Sequence, residues 1–170
     1  MTEFQVFWLA ALGLGIGATL VMDLWAVIKR HVWHSPSLDY ALVGRWFGHM
    51  PRGRFVHRTI MQAPYVPYER PGGWVLHYLS GIAFAALLLS LVGLDWLNQP
   101  TLWPALGVGL ATVIVPIFVM QPAFGFGMAA SQTPNPGQAR FHSLLTHAVF
   151  GLGLYLSAVI LAPVWPVHGG

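Results

Sequence analysis

The sequence has no cysteine and very little charge, with charged residues making up 8% of its 170 positions. Without cysteine the chain forms no disulfide, no thiolate metal site, no covalently attached c-type haem and no thiol redox switch. Soluble domains carry about 25% charged residues, so this chain lacks the charge to cover a water-facing surface. The composition therefore excludes a soluble enzyme, a disordered tail and a disulfide-stabilised scaffold.

Apolar residues are abundant instead, at 56% of the sequence, and the mean hydropathy is +0.63. A membrane-spanning helix needs about 20 mostly apolar residues, and the chain contains four such runs, at 4–28, 73–94, 102–120 and 141–164. No segment between them alternates as a barrel strand does. The sequence therefore predicts one all-α membrane domain over 1–170, built as a four-helix bundle.

The basic residues predict the orientation of this bundle, because lysine and arginine accumulate on the cytoplasmic side of membrane proteins. Arg140 lies between the third and fourth runs, and the others lie between the first and second: Lys29, Arg30, Arg45, Arg52, Arg54, Arg58 and Arg70. The segment 29–72 is thus expected to be a long cytoplasmic loop, with both termini on the periplasmic or exterior side. The first run has no basic residue before it, which favours a retained helix over a cleaved signal peptide.

The long first loop contains a predicted amphipathic helix. Ser35 and Pro36 resemble an N-cap followed by proline at the first helical position, and the helix is expected over 37–50. Its apolar side consists of Leu38, Leu42, Trp46 and Phe47. Such a helix lies in the plane of the membrane interface, where the basic loop contacts anionic lipid headgroups. Nucleic-acid binding is not expected of a loop this close to the bilayer.

Ionisable residues inside membrane spans are functional-site candidates by default, and this chain has Asp23, His77, His142 and His147. At 1.5 Å per residue, Asp23, His77 and His147 lie about 6–10 Å from the cytoplasmic ends of three different helices. Residues three, four and seven apart share a helix face. Each of the three side chains shares its face with small residues, which mark close helix approaches in membranes.

The predicted site is therefore formed by Asp23, His77 and His147 inside the bundle. His142 and Gln121 are its outer members, because Gln121 ends the third run at the same depth. Two imidazoles and a carboxylate can bind Zn²⁺ or Fe²⁺, or the carboxylate can orient one imidazole from outside the ligand set. His77 and His147 could instead hold a b-type haem, and a proton relay would also use histidine.

The sequence leaves three functions open. The first is metal binding, or ion or small-molecule transport, at the Asp/His site. The second is a haem-binding redox protein, and the third is an accessory or scaffold protein in which Asp23, His77 and His147 only join helices. The sequence contains no nucleophile elbow, phosphate loop or zinc-protease pattern, which favours a role other than catalysis.

Other polar positions are weaker candidates. His31 and His34 have the spacing of a metal pair but no third ligand beside them. His49 and His57 lie among arginines and are expected to be solvated loop residues or contacts to anionic lipid, and His168 is expected to be exposed. Pro116 lacks an N–H and is expected to leave the carbonyl of Thr112 free. The segment 121–135 is expected either to extend the third helix or to return into the membrane, and the sequence does not decide between them.

A faint internal repeat relates the two halves of the chain. The segment 77–81 is similar to 147–151, and Gly13-x-Gly15 is similar to Gly107-x-Gly109. A parallel duplication of this kind would place His77 and His147 opposite each other at one depth. Separately, Gly13-xxx-Gly17 offers a close-packing face that could serve within the chain or between two copies in a homo-oligomer.

Several segments in order resemble an uncharacterised family of small bacterial inner-membrane proteins, a domain-of-unknown-function family of similar length. The similar segments are 22–26, 42–49, 53–57, 119–122, 131–136 and 146–151. The resemblance implies a four-helix protein of the bacterial inner membrane and carries no activity. It also implies that Arg45, His49 and His57 belong to a structured loop and not to a loose chain.

Overall fold

The computed structural model of the chain describes residues 1–33 and 38–165. Four helices within these residues are long and apolar enough to cross a membrane, which confirms the predicted four-helix fold. The first, second and fourth spans are α1 (Glu3–Trp33), α3 (Glu69–Val92) and α6 (Pro136–Leu161). His34, Ser35, Pro36 and His168, and with them the predicted N-cap, lie outside the described residues.

The remaining span is composite. It begins as α4 (Leu102–Ala111), continues as a π-helix (Val115–Met120) and ends in the short α5 (Gln121–Ala123). The irregularity falls at Pro116, which has no N–H for a regular helical bond. The carbonyl of Thr112, expected to be free, instead accepts the N–H of Val115 at 3.1 Å. That expectation was wrong because the tightened turn supplies a new donor.

Most apolar side chains in the four spans face outward, since only 22% to 33% of each apolar window is buried inside the protein. In water this exposure would be costly, whereas in lipid it is favourable. α1 packs against both α3 and α6, α4 packs against α6, and α2 (Tyr40–His49) packs against α3. The four spans share a core of alanine and leucine, with Phe150 and Trp96 at its sides.

Small residues set the closest helix contacts. A Cβ atom on Gly15 would clash with the backbone of α3 at Ile82, and one on Gly109 would clash with Gly151 of α6. Because these contacts join backbone to backbone, they leave no room for a larger side chain. Gly13 and Gly17 face Leu161 and Ser157 of α6 in the same chain, so this glycine pair packs the bundle internally.

The first loop is folded onto α3. Asp39 caps α2 by accepting the N–H of Ala41 at 3.0 Å. A Cβ atom on Gly44 would clash with the carbonyl of Glu69, and one on Gly73 with the carbonyl of Tyr40. This close approach buries Arg45 and His49, which are 5% and 4% exposed. The expectation that His49 is a solvated loop residue was therefore wrong.

The segment 121–135 packs against this same loop. The backbone N–H groups of His57 and Ile60 donate to the carbonyls of Ala123 and Phe124, at 2.9 and 3.0 Å. Phe124 is 1% exposed and lies against the ring of Trp46. The third span thus ends at Ala123, and the residues after it form an irregular segment held by the first loop. α6 begins at Pro136, before the predicted fourth run at 141–164, and the Asn135 side chain makes no capping hydrogen bond.

Candidate functional site

The half-buried carboxylate of Asp23 on α1 is hydrogen-bonded to two residues of α3. Nε2 of His77 lies 3.0 Å from Oδ1 of Asp23, and the hydroxyl of Tyr78 donates to Oδ2 at 3.0 Å. Both oxygens of Asp23 are therefore engaged. Since the carboxylate accepts, His77 presents Nε2 as a donor, and Nδ1 is the ring nitrogen that Asp23 does not engage.

An aromatic side chain from the first loop covers this pair. The ring of Tyr40 stacks on His77 with centroids 4.0 Å apart and planes inclined by 23°. Trp74 lies beside both rings. Burial, with Asp23 nearby, raises the pKa of Tyr40 well above its ordinary value, so its hydroxyl stays protonated. α2 thus closes the site with a neutral aromatic surface.

His147 makes a separate contact with the third span. Its Nδ1 lies 2.9 Å from the hydroxyl of Thr112, and that hydroxyl donates its proton to the carbonyl of Gly109 at 2.6 Å. Because a hydroxyl has one proton to give, Nδ1 of His147 is the donor and Nε2 carries the lone pair. No described residue forms a hydrogen bond with Nε2, which is left to act as an acceptor.

The two histidines face one cavity of about 410 Å³ between α1, α2, α3, α6 and the π-helix. His142, Ser143 and Lys29 also line it. Most of the other lining side chains are apolar or aromatic, among them Met22, Trp46, Phe47, Phe84, Met120 and Phe150. The cavity therefore has the size and the lining of a small-molecule site, with a few polar groups on largely apolar walls.

The structure brings together some of the predicted site residues and not others. Asp23 contacts His77 directly, whereas His147 is bonded to Thr112. Gln121 donates to Ser143 at 3.4 Å and so supports the cavity wall. Within residues 1–33 and 38–165, no three histidine, aspartate or glutamate side chains form a group that could hold a metal ion. The metal role of Asp23, His77 and His147 stays a prediction.

A second polar centre lies in the first loop. The guanidinium of Arg45 pairs with both carboxylate oxygens of Glu69, at 2.7 and 2.9 Å, and lies 4.3 Å from the ring centroid of Tyr65. It also donates to the carbonyls of Ile60, Met61 and Ala63. One buried cation therefore fixes the path of the loop, and its pairing with Glu69 raises the pKa of Arg45 further. This confirms the structured loop that the resemblance implies.

His49 and His57 form a ring pair beside this centre, with centroids 5.2 Å apart. Nε2 of His49 donates to the carbonyl of Pro64 at 3.0 Å. Both ring nitrogens of His57 are buried with no hydrogen-bond partner in the described protein. Burial, together with His49 and Arg54, lowers the pKa of His57. At neutral pH the ring is therefore uncharged.

Four residues that line the cavity or bond to Asp23 or His147 were not among the predicted site members: Lys29, Tyr40, Tyr78 and Thr112. Tyr78 follows His77 directly, and Thr112 is seven residues after Ala105 on a small-residue face, so both carried a signal in their spacing. Lys29 was attributed to topology, and nothing in its local sequence distinguishes a buried lysine from a solvated one. Tyr40 reaches the site only because glycines bring α2 onto α3.

The chain belongs to the family DUF2938, described as protein of unknown function, whose sequence pattern matches residues 12–161. This confirms the resemblance to an uncharacterised family. The match contains every residue of the cavity and of the Arg45 centre named above. No curated protein and no solved structure matches the chain.

Proposed function

We propose that this member of DUF2938 binds a small molecule inside the membrane, in the cavity between α1, α2, α3 and α6. The supporting observation is the combination of size and lining: about 410 Å³, mostly apolar, with His77, His147 and Lys29 contributed by different helices. Ligand sites commonly have this character. Binding of this kind is the first step of small-molecule transport, which the sequence left open.

The polar groups suit recognition better than structural support alone. A purely structural His77 would need only its bond to Asp23, yet the ring also lines the cavity. His147 likewise bonds through Nδ1 and keeps Nε2 as a free acceptor. In both cases one ring nitrogen is fixed by the protein and the other is available to a ligand, the arrangement by which proteins set a histidine's tautomer.

The test uses two serines on α3 that make the same local bond. The hydroxyls of Ser80 and Ser90 each donate to the carbonyl four residues earlier, at 2.8 Å. Ser80 lines the cavity and Ser90 does not. In native mass spectrometry, we expect a non-covalently bound mass on the wild type and on Ser90→Trp, and its loss in Ser80→Trp. Absence of any bound mass from the wild type, or its retention in Ser80→Trp, would contradict the proposal.

Metal and haem binding are tested on the same material. Asp23 orienting His77 is the relation in which a carboxylate supports a metal-binding imidazole, and this favours a metal as the second candidate. Elemental analysis should then find stoichiometric Zn or Fe that is lost in His77→Ala and His147→Ala. A metal-free folded protein contradicts this candidate, and a colourless preparation without a Soret band contradicts haem.

We also propose the inner membrane of a bacterium as the location, with the first loop and Arg140 on the cytoplasmic side. The support is the positive-inside bias together with the packing of the first loop against the segment after Ala123. Both basic loops thereby lie at one end of the bundle. This end carries all eight lysine and arginine residues.

A further inference from the structure

Lys29 is a buried cation at the edge of the cavity. It is 7% exposed and lines the cavity wall. Lysine is almost never buried this far unless it is paired, because an isolated charge loses its hydration. Among the described residues, Arg45 pairs with Glu69 and His77 contacts Asp23, and no carboxylate lies within ion-pair distance of Lys29.

The side-chain carboxylates of this chain are all accounted for elsewhere. The sequence has five acidic residues, and each lies within the described residues. Asp23 is bonded to His77 and Glu69 to Arg45, and Asp39 accepts the capping hydrogen bond of α2. Glu3 is about 39 Å from the lysine along α1. Asp95 follows the far end of α3. Among residues 1–33 and 38–165, no side-chain carboxylate is therefore paired with this lysine.

We propose that the cavity binds an amphiphilic anion, whose carboxylate pairs with Lys29 and whose apolar chain lies among the aromatic and methionine side chains. This inference rests on the proposed function and names its ligand class. A wholly apolar ligand would leave the ammonium buried and unpaired, and a cationic ligand would be repelled by it. Arginine is absent from the lining, and a single lysine suits a carboxylate better than a phosphate, which arginine clusters bind.

The neighbouring residue provides a matched control. Arg30 is next to Lys29 on α1 but is exposed, so Arg30→Gln removes the same charge from the same helix end without touching the cavity. The probes are dodecanoate and dodecan-1-ol, which share a chain and differ in the charge of the headgroup. Binding is measured on the full chain in phosphatidylcholine nanodiscs, with empty nanodiscs subtracted to remove partitioning into lipid.

We expect the wild type and Arg30→Gln to bind dodecanoate equally well, and Lys29→Gln to bind it at least about tenfold more weakly, the loss of one charge-assisted hydrogen bond. Dodecan-1-ol should bind the wild type more weakly than dodecanoate does, and Lys29→Gln should not weaken it further. Lys29→Arg, which keeps the charge, should retain most of the dodecanoate affinity and also shows that the position tolerates substitution.

Three results would overturn this inference. Equal binding of acid and alcohol, unaffected by Lys29→Gln, would refute the anion while leaving a small-molecule site in place. Phosphatidylglycerol in the nanodisc could suppress dodecanoate binding only when Lys29 is present. That result would assign the lysine to binding a lipid headgroup. If neither probe binds, the proposal of an amphiphilic anion is refuted. The proposed function is tested separately, by the bound mass that we expect to be lost in Ser80→Trp.

Discussion

Individual polar residues inside the bundle show what a sequence can and cannot reveal. Asp23 and His77 were predicted as partners because an ionisable group in a membrane span must find one, and they are 3.0 Å apart. His147 was assigned to the same group by its depth and by the small residues on its helix face, and its ring instead contacts Thr112. Depth along a helix follows from residue counting, whereas the neighbour of a side chain depends on helix rotation and packing.

The buried pair of Arg45 and Glu69 was not foreseen for a similar reason. An arginine among other arginines in a loop has the appearance of a topology signal. Its burial follows from Gly44 and Gly73, which bring α2 onto the start of α3, and from the carbonyls that surround the guanidinium. A buried pair of this kind is costly to break, because the remaining charge is left unpaired.

His57 makes the stability of the loop depend on pH. Its folded-state pKa lies below the ordinary value of about 6.5, so the unfolded chain binds a proton on this residue before the folded chain does. Stability is therefore complete above about pH 6.5 and falls as the pH drops toward the folded-state pKa. We expect the melting temperature in detergent to be lower at pH 5 than at pH 7.5, and His57→Gln to reduce this difference.

The control for this pH effect is His31→Gln, since His31 is exposed at the end of α1 and bonds to the carbonyl of Val27 within its own helix. It should keep the wild-type difference between the two pH values. A His57→Gln protein that loses as much stability between pH 7.5 and pH 5 as the wild type would show that other groups cause the effect.

At the scale of the helices, the apolar runs predicted the existence and the number of the membrane-spanning helices well, and the ends of these helices less well. The first run was placed at 4–28, yet α1 continues to Trp33, because backbone hydrogen bonding does not stop where apolar composition stops. The two halves of the predicted repeat make an equivalent hydrogen bond within their first helices. Thr19 donates to the carbonyl of Gly15 at 2.7 Å, and Thr112 donates to that of Gly109 at 2.6 Å. Each of these glycines packs against the opposing helix of its hairpin.

Two adjacent glycines at the start of α3 test the packing of α2. A Cβ atom on Gly73 would clash with the carbonyl of Tyr40, whereas one on Gly72 would meet nothing within 4 Å. Alanine favours a helix over glycine by up to about 1 kcal/mol, so Gly72→Ala should leave the melting temperature unchanged or raise it. Gly73→Ala should destabilise by about 1–3 kcal/mol, or roughly 2–4 °C for each kcal/mol.

Thermal unfolding of both variants in the same detergent provides the comparison. If Gly73→Ala melts at or above the temperature of Gly72→Ala, the contact between α2 and α3 is not as close as described. In that case Tyr40 would also lose its support for stacking on His77, and the closed end of the cavity would need revision.

For the protein as a whole, composition indicated a membrane protein, and the positions of the basic residues predicted its orientation in the membrane. Neither could reveal the cavity. Its walls come from five helical elements, and its size depends on the π-helix at Pro116 and on how closely α2 approaches α3. These are properties of the tertiary structure, and the sequence of no single segment indicates them. The basic residues, in contrast, report on orientation through position alone, and this part of the prediction can be tested directly.

The absence of native cysteine makes the orientation measurable with single introduced thiols. Arg54 in the first loop and Gln99 between α3 and α4 are both exposed and lie at opposite ends of the bundle. In a bacterial host, a membrane-impermeant maleimide should label Gln99→Cys in intact cells whose outer membrane has been permeabilised. Arg54→Cys should react only after the inner membrane is broken, because the basic end of the bundle is expected in the cytoplasm. The reverse labelling pattern would contradict the predicted orientation and would place the Lys29 end of the cavity on the periplasmic side.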